Sequence, residues 1–248
     1  LLMSQQLFGK VYQSDKHLQS LYNMIAVSFK TKVFKDVMPL TLKAYEKNKN
    51  DPKLIEGLAR LHFYLGNRSD SIKFFKTLYK IKPEKIEGRF PFVSSLNYSS
   101  GVSQEEYMKE CLNFASLVEK KLKIDDDKFE FMNEKNKKIK LAFLSADFKT
   151  HSVSHFLKDL LKKIDRNSFE LVLISNLDII DQDDLSKTLK TLSDEWYDIA
   201  TYTDENLTTF LRSLKLDILI DLSGFTYGNR FEVLARRCAK IQIGWLGY

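Results

Sequence analysis

The chemistry this chain could do centres on two polar stretches, each set against an apolar run. The first is Ala146-Asp-Phe-Lys-Thr-His-Ser152, directly after Ile139-Lys-Leu-Ala-Phe-Leu-Ser145. His151 lies there just ahead of an amphipathic stretch, so its imidazole would stand at a helix N-terminus, where anions are favoured. A neutral imidazole can accept or relay a proton. The same residue could instead cap the helix or pack at a lobe boundary. His151 and His155 are four apart, a spacing that would suit zinc on one helical face. There is no intervening Glu of an H-E-x-x-H pattern, and His151 falls before the helix, so no metal is expected. His155 is expected to pack inside the fold or bond a backbone carbonyl, and Asp147 to cap or orient its loop. His17 and His62 fall in helical segments and are read as inert. The second stretch is Asp221-Leu-Ser-Gly-Phe-Thr-Tyr-Gly-Asn-Arg230. Asp221 ends an apolar strand, where open α/β sheets place binding residues. Gly224 permits a tight turn. Thr226, Tyr227, Asn229 and Arg230 offer groups to a ligand, although Arg230 could equally pair with a carboxylate near Glu232. Cys111 and Cys238 have no metal-like spacing and read as buried apolar residues in a reducing compartment, which implies the cytoplasm.

The elements that must position these residues alternate from Ile139 onward. Strands are predicted at Ile139–Ser145, Phe169–Ser175, Trp196–Ile199, Asp217–Leu222 and Ile241–Trp245. Helices are predicted around Val153–Ile164, at Asp184–Leu192, Glu205–Leu214 and Arg230–Arg237. Val153, Phe156, Leu157, Leu160, Leu161 and Ile164 form the apolar stripe of the first of these. Alternating β and α of these lengths implies a doubly wound parallel sheet with the first strand central. No G-x-G-x-x-G follows that strand, so the usual dinucleotide fingerprint is absent.

The first half is all helical. Pro52 opens a helix capped by Asp51, with Ile55, Leu58, Ala59, Leu61, His62 and Leu65 on one face. Gly66-Asn67 ends it, Ser69 or Asp70 caps the next, and Ile72, Phe75, Leu78 and Tyr79 make its stripe before Pro83. Leu58-Ala59, Gly66-Asn67, Ser71, Phe75 and Pro83 sit at the offsets of a tetratricopeptide repeat. A looser copy runs through Leu21–Phe29 and Phe34–Tyr45, and stacked repeats build a groove for peptides. A plain helical bundle stays open as the other reading. Arg89–Asn97 is a short helix, Ser103-Gln-Glu-Glu106 a capping box, and Tyr107, Cys111, Phe114, Ala115 and Val118 one face of a last helix. Asp125–Lys138 reads as a linker. The expected organisation is residues 1–124 as a helical domain, 125–138 as the linker and 139–248 as an α/β lobe. The charge is uneven: residues 1–138 carry 25 Lys and Arg against 17 Asp and Glu, and residues 139–248 carry 14 against 16. The lysines are scattered among acids without an Arg-rich patch, so a solvated helical surface is the plain reading and nucleic acid is not expected. No apolar run approaches the ~20 residues that span a bilayer, and no membrane partner is expected.

Three blocks, in order, resemble the SPINDLY / O-linked N-acetylglucosamine transferase family. Leu144-Ser-Ala-Asp-Phe-Lys-Thr-His-Ser-Val-Ser-His155 is similar to its strand, S-x-D-F and H-x-x-x-H. Asp221–Arg230 is similar to its D-L-x-G-[YHF]-T-x-x-x-R. Ala235-Arg-Arg-Cys-Ala-Lys-Ile-Gln-Ile-Gly-Trp-Leu-Gly-Tyr248 is similar to its R-x-A-P-[IV]-Q-x-x-W-L-G-Y-P. Ala239-Lys240 departs from the usual Ala-Pro, and Lys149-Thr150 from the usual Gly-Asn. The resemblance implies tetratricopeptide-like hairpins followed by a Rossmann-like parallel α/β lobe, the first half of a two-lobed GT-B glycosyltransferase. It implies an inverting protein O-glycosyltransferase that moves a sugar, expected to be N-acetylglucosamine, from a UDP-sugar to Ser or Thr, without a metal cofactor. The helical repeats would hold a protein or peptide acceptor. His151 would be catalytic, and Asp221, Gly224, Thr226, Tyr227 and Arg230 would line the substrate site. The chain begins without Met and ends at Trp245-Leu-Gly-Tyr248, so it is expected to be a piece whose second lobe lies beyond Tyr248 and which is inactive alone. A non-catalytic peptide-binding adaptor is the alternative.

Overall fold

The computed structural model describes residues 1–84, 86, 89–122, 137–226 and 228–247. The chain divides into two compact units, Leu1–Leu117 and Val118–Tyr248. Most of the expected linker, residues 125–136, lies outside the described residues.

The first unit is built of helical hairpins: α1 (Leu2–Asp15), α2 (Leu18–Thr31), α3 (Val37–Lys47), α4 (Pro52–Tyr64), α5 (Arg68–Ile81), α6 (Arg89–Asn97) and the start of α7 (Gln104–Leu122). The α4–α5 hairpin shows how local chemistry sets the joints. The Asp51 carboxylate accepts from the backbone N–H groups of Lys53 and Leu54 at 2.9 and 3.0 Å, and Pro52 follows at the first helical position. Gly66 takes φ +84°, a left-handed conformation that favours glycine, and reverses the chain at once. The next helix therefore starts at Arg68 with Asn67 at its N-cap position, earlier than the Ser69 or Asp70 cap expected from sequence. Leu54, Ile55, Leu58, Ala59 and Leu61 of α4 and Phe75 and Leu78 of α5 are all fully buried, Leu54 and Leu61 within a cluster that holds Leu21, Met24 and Ile25 of α2, and the Ser71 hydroxyl donates to the Ala59 carbonyl at 2.8 Å. Leu65, expected on the apolar face of α4, is 47% exposed because it already lies past the helix end. In α7, Phe114 and Val118 are buried, Tyr107 and Cys111 are half-buried and Ala115 is exposed, so the expected five-residue face is narrower. Cys111 is thus not the buried residue expected, whereas Cys238 is.

The second unit carries five strands: β1 (Ile139–Ser145), β2 (Phe169–Ser175), β3 (Glu195–Asp198), β4 (Ile218–Asp221) and β5 (Ile241–Gly244). All pair in parallel, in the order β3-β2-β1-β4-β5, with β1 central as the sequence implied. Between them lie α8 (Ser152–Leu161), α9 (Asp184–Thr191), α10 (Asp204–Ser213) and α11 (Phe231–Ala235). Side chains alternate across the pleat. Leu141, Phe143, Leu171 and Leu173 pack with Val153, Leu157 and Leu161 of α8 and Leu189 of α9. Ala142, Leu144, Val172 and Ile174 pack with Leu207 and Leu211 of α10 and Val233 of α11. Apolar burial on both faces is the reason β1 and β2 read as continuous apolar runs. Phe156, placed on the α8 stripe from sequence, is instead 64% exposed; the buried stripe is the narrower Val153, Leu157, Leu161 row.

Candidate functional site

A parallel sheet brings the carboxyl ends of all its strands to one edge. From β1 the chain moves outward to β2 and β3, then returns to place β4 on the other side of β1. The strand order therefore reverses between β1 and β4, and the loops after these two strands diverge around a crevice at that switch point. These are the loops that carry His151 and the Asp221–Arg230 stretch. A cavity of 250 Å³ opens there. Ala146, Asp147, Lys149 and His151 line it from the β1–α8 loop, Asn176, Leu177, Asp178 and Asp181 from the segment after β2, and Thr226 and Gly228 from the loop after β4.

His151 is the N-cap residue of α8, with extended backbone at φ −151°. Its Nδ1 accepts the Val153 N–H at 3.3 Å. That bond assigns the tautomer: with the Nδ1 lone pair engaged, the neutral ring carries its proton on Nε2. His151 thus caps the helix, one of the roles the sequence left open, and also borders the cavity. The loop before it is fixed from several sides. The Ser154 hydroxyl donates to the Asp147 carbonyl at 2.6 Å, and the Ser145 hydroxyl accepts the Asp147 N–H at 3.0 Å. The Asp183 carboxylate caps α9 by accepting from Leu185 and Ser186, and it reaches across to accept the Thr150 N–H at 2.7 Å. These bonds, led by those from Thr150, hold the Asp183 carboxyl well below the usual carboxylate range. His155 does not pack inside the fold. It is exposed, because α8 turns that position away from the sheet.

The loop after β4 is built around Asp221. Its side chain is buried and accepts from the backbone N–H groups of Gly224 at 2.9 Å and Ser223 at 3.2 Å. Burial raises its carboxyl above the ordinary value, against the pull of those two bonds. Gly224 takes φ +49° within this turn. Thr226 is exposed at the cavity, and its hydroxyl donates back to the Ser223 carbonyl at 2.7 Å. Tyr227 lies outside the described residues. Arg230 does not line the cavity. Its guanidinium donates to the Asp204 carboxylate at 2.7 Å and to Asn176 Oδ1 at 2.8 and 3.2 Å, and its side chain is 15% exposed. The partner is Asp204 rather than a neighbour of Glu232. Asn176 then donates through Nδ2 to the Gly228 carbonyl at 2.7 Å. Arg230 and Asn176 together tie the β4 loop to the end of β2.

Asn176, Lys149, Asp178 and Asp181 were not singled out from sequence. One signal was present for Asn176: it follows Ser175, the last residue of a strand next to β1, where a polar side chain reaches the same edge. The cavity wall carries the carboxylates of Asp147, Asp178 and Asp181 with the ammonium of Lys149 and the imidazole of His151. Carboxylates can take a proton from a hydroxyl. A cation, an Nε2–H and a helix N-terminus can hold a developing anion.

Residues 101–248 match the model of glycosyl transferase family 41. Among curated proteins, a probable UDP-N-acetylglucosamine–peptide N-acetylglucosaminyltransferase SPINDLY of Oryza sativa subsp. japonica is 33% identical over 110 residues, 44% of this chain and 12% of that protein. A UDP-N-acetylglucosamine–peptide N-acetylglucosaminyltransferase of Caenorhabditis elegans is 28% identical over 126 residues, 50% of this chain and 11% of that protein. The structure of a Thermobaculum terrenum O-GlcNAc transferase mutant superposes with a TM-score of 0.81 at 21% identity, over 100% of this chain and 47% of that one. That likeness shows the fold: helices followed by a parallel sheet of the GT-B kind. The matched stretches span 11 to 12% of these two curated relatives and 47% of the solved chain.

Proposed function

The chain belongs to glycosyl transferase family 41, and from that premise we propose that it supplies the helical repeats and first catalytic lobe of an inverting protein O-glycosyltransferase. The donor is read as a UDP-sugar, N-acetylglucosamine being the sugar in the relatives' names, and the acceptor as a Ser or Thr hydroxyl. The observation that carries the reading is the cavity at the switch point, where His151, Lys149 and three carboxylates meet at the N-terminus of α8. In an inverting displacement the hydroxyl attacks the anomeric carbon on the face opposite the leaving diphosphate and loses its proton. His151, with Nδ1 held by Val153, offers Nε2–H to an oxygen that gains negative charge. The α8 N-terminus and Lys149 add positive potential on the same side. The hydroxyl proton has carboxylates within the cavity, Asp147 among them, to receive it. Asp221, Gly224 and Arg230 act on substrate through the loop they shape, and Thr226 faces it directly. No metal is assigned a part in this scheme. The helical hairpins would hold the protein acceptor. Among the described residues no helix is long and apolar enough to cross a membrane, and the two free cysteines suit the reducing cytoplasm.

Mass spectrometry of a Ser/Thr peptide library, incubated with a panel of nucleotide-sugars and the complete polypeptide that carries this sequence, tests the proposal. The expected result is a mass gain of one N-acetylhexosamine from the UDP donor. Gain of a different sugar would correct the donor, and no gain from any donor would replace the transferase with a peptide-binding adaptor.

A further inference from the structure

The first unit holds a cavity of its own, 290 Å³ in volume, between α2 and α4. Tyr22 and Phe29 of α2 and Lys53, Glu56, Gly57 and Arg60 of α4 border it. Gly57 lets the two helices approach, since a Cβ there would lie 3.2 Å from Ile25 Cδ1. Each aromatic ring carries a cation. The Lys53 ammonium is 4.8 Å from the Tyr22 ring centre, and the Arg60 guanidinium carbon is 4.3 Å from that of Phe29. Tyr22 is itself held, its hydroxyl donating to Asp51. Stacking of this kind fixes the position of a cation without neutralising it. The Arg60–Glu56 ion pair is long, at 4.0 Å, and the Arg60 side chain is 38% exposed, so a competing carboxylate displaces it at little cost.

We propose that this groove binds an extended acidic peptide segment with carboxylates three residues apart, Asp/Glu-x-x-Asp/Glu, one on Lys53 and one on Arg60. The spacing follows from geometry. Lys53 and Arg60 are seven residues apart on one helix, ~10.5 Å at the helical rise, and three residues of an extended polyproline-II segment cover ~9 Å and return both carboxylates to one face. The charge of the first unit agrees, with residues 1–117 carrying 18 basic against 11 acidic side chains. Single-stranded RNA is also anionic, but it binds by stacking bases on open ring faces, and here Lys53 and Arg60 already cover a face of each ring. The inference rests on the reading of the hairpins as the peptide-holding part of a transferase.

Fluorescence anisotropy of the 248-residue chain with short labelled Gly/Ser peptides tests it. The peptides carry Asp-x-x-Asp, Asn-x-x-Asn or Lys-x-x-Lys, and an oligouridylate of matched charge is run beside them. The expected result is at least about tenfold tighter binding of Asp-x-x-Asp than of its Asn counterpart, as charged hydrogen bonds imply. Lys53→Gln and Arg60→Gln should each weaken that binding about 3–10-fold, with unchanged dichroism, while Lys80→Gln on α5 leaves it unaltered. Preference for the Asn or Lys peptide, sensitive to the same substitutions, would overturn the acidic preference but keep the hairpins as a peptide site. Tighter binding of oligouridylate would overturn it in favour of nucleic acid. No binding of any peptide would sink both the inference and the peptide-holding role of the hairpins.

Discussion

Replacing Gly228 by Ala should be among the most damaging single-methyl additions in the second unit. Gly228 has φ +80°, and a Cβ built there would lie 2.5 Å from the Cβ of Ala146. Carbon atoms rest at about 3.5–4.0 Å, so one of the two loops must give way by about 1 Å. The left-handed backbone costs an L-residue ~1–2 kcal/mol, of which the stiffer unfolded chain returns ~0.4–1 kcal/mol. Overpacking adds ~1–3 kcal/mol, which gives a loss of about 3 kcal/mol, with the terms spanning about 1–5 kcal/mol. Gly66→Ala is the matched control: φ is +84° but nothing lies within 4 Å, so only the backbone term applies, about 1 kcal/mol. Urea titration separates the two. Trp196 and Trp245 are the 2 tryptophans of the chain and both belong to the second unit, so their fluorescence follows Gly228→Ala. Far-ultraviolet dichroism, weighted by the helices, follows Gly66→Ala. Adding Ala146→Gly to Gly228→Ala removes the clashing methyl, and the double-mutant cycle should show a favourable coupling of about 1–2 kcal/mol. A loss at Gly228 no larger than at Gly66, or zero coupling to Ala146, would refute the packing of these loops.

Three further outcomes follow from side chains of both units. Tyr79 is 9% exposed and its hydroxyl has no hydrogen-bond partner, so Tyr79→Phe should be neutral or stabilising by up to about 1 kcal/mol in urea titration; a clear loss would mean the hydroxyl is satisfied. His62 is 8% exposed with Nδ1 unpartnered, and burial lowers its pKa against the opposing pull of Asp70. The unfolded chain therefore binds the proton more readily, and stability of the first unit should fall as pH drops below ~6.5. His62→Phe should flatten that slope. For Asp183 the sign is that of a depressed carboxylate: its contribution is present above the unfolded value near ~3.9 and is lost as pH falls toward the lower folded value. Asp183→Asn should make acid unfolding of the second unit shallower, and an unchanged acid limb would count against the Thr150 tie.

The strands were legible because burial on both faces leaves an uninterrupted apolar run with a polar stop. β1 and β2 begin and end where Ile139, Ser145, Phe169 and Ser175 mark them. Their parallel arrangement followed from the alternation with helices, and so did the position of His151 at the sheet edge. Helix α1 was not legible. Its buried residues are Gln5, Gly9 and Tyr12, while Leu1, Leu2, Met3 and Leu7 are exposed, so its apolar pattern points the wrong way. Gln5 is buried because its side chain is satisfied, donating to the Val33 carbonyl and accepting from Thr31. The α8 stripe was read too wide for a related reason. A three-residue step and a four-residue step both look helical, and only the sheet's position decides that Leu157 is buried and Phe156 is not. In the site, the residue types and their loops were readable, but their partners were not. The Arg230 pairing with Asp204 and Asn176, and the reach of Asp183 to Thr150, join segments 26 to 54 residues apart, which no local pattern encodes.

The central claim is that His151 contributes an imidazole to the reaction and not only a cap to α8. Asn is a good N-cap residue, so His151→Asn keeps an acceptor for the Val153 N–H while removing Nε2–H, whereas His151→Ala removes both. The direct measurement is kcat for sugar transfer by the complete polypeptide carrying each substitution, beside wild type, with folding checked by dichroism. Loss of about 10²–10³-fold in both variants, as removal of a charge-stabilising donor implies, is the predicted result; transfer at the wild-type rate by His151→Asn would contradict it and leave His151 a helix cap.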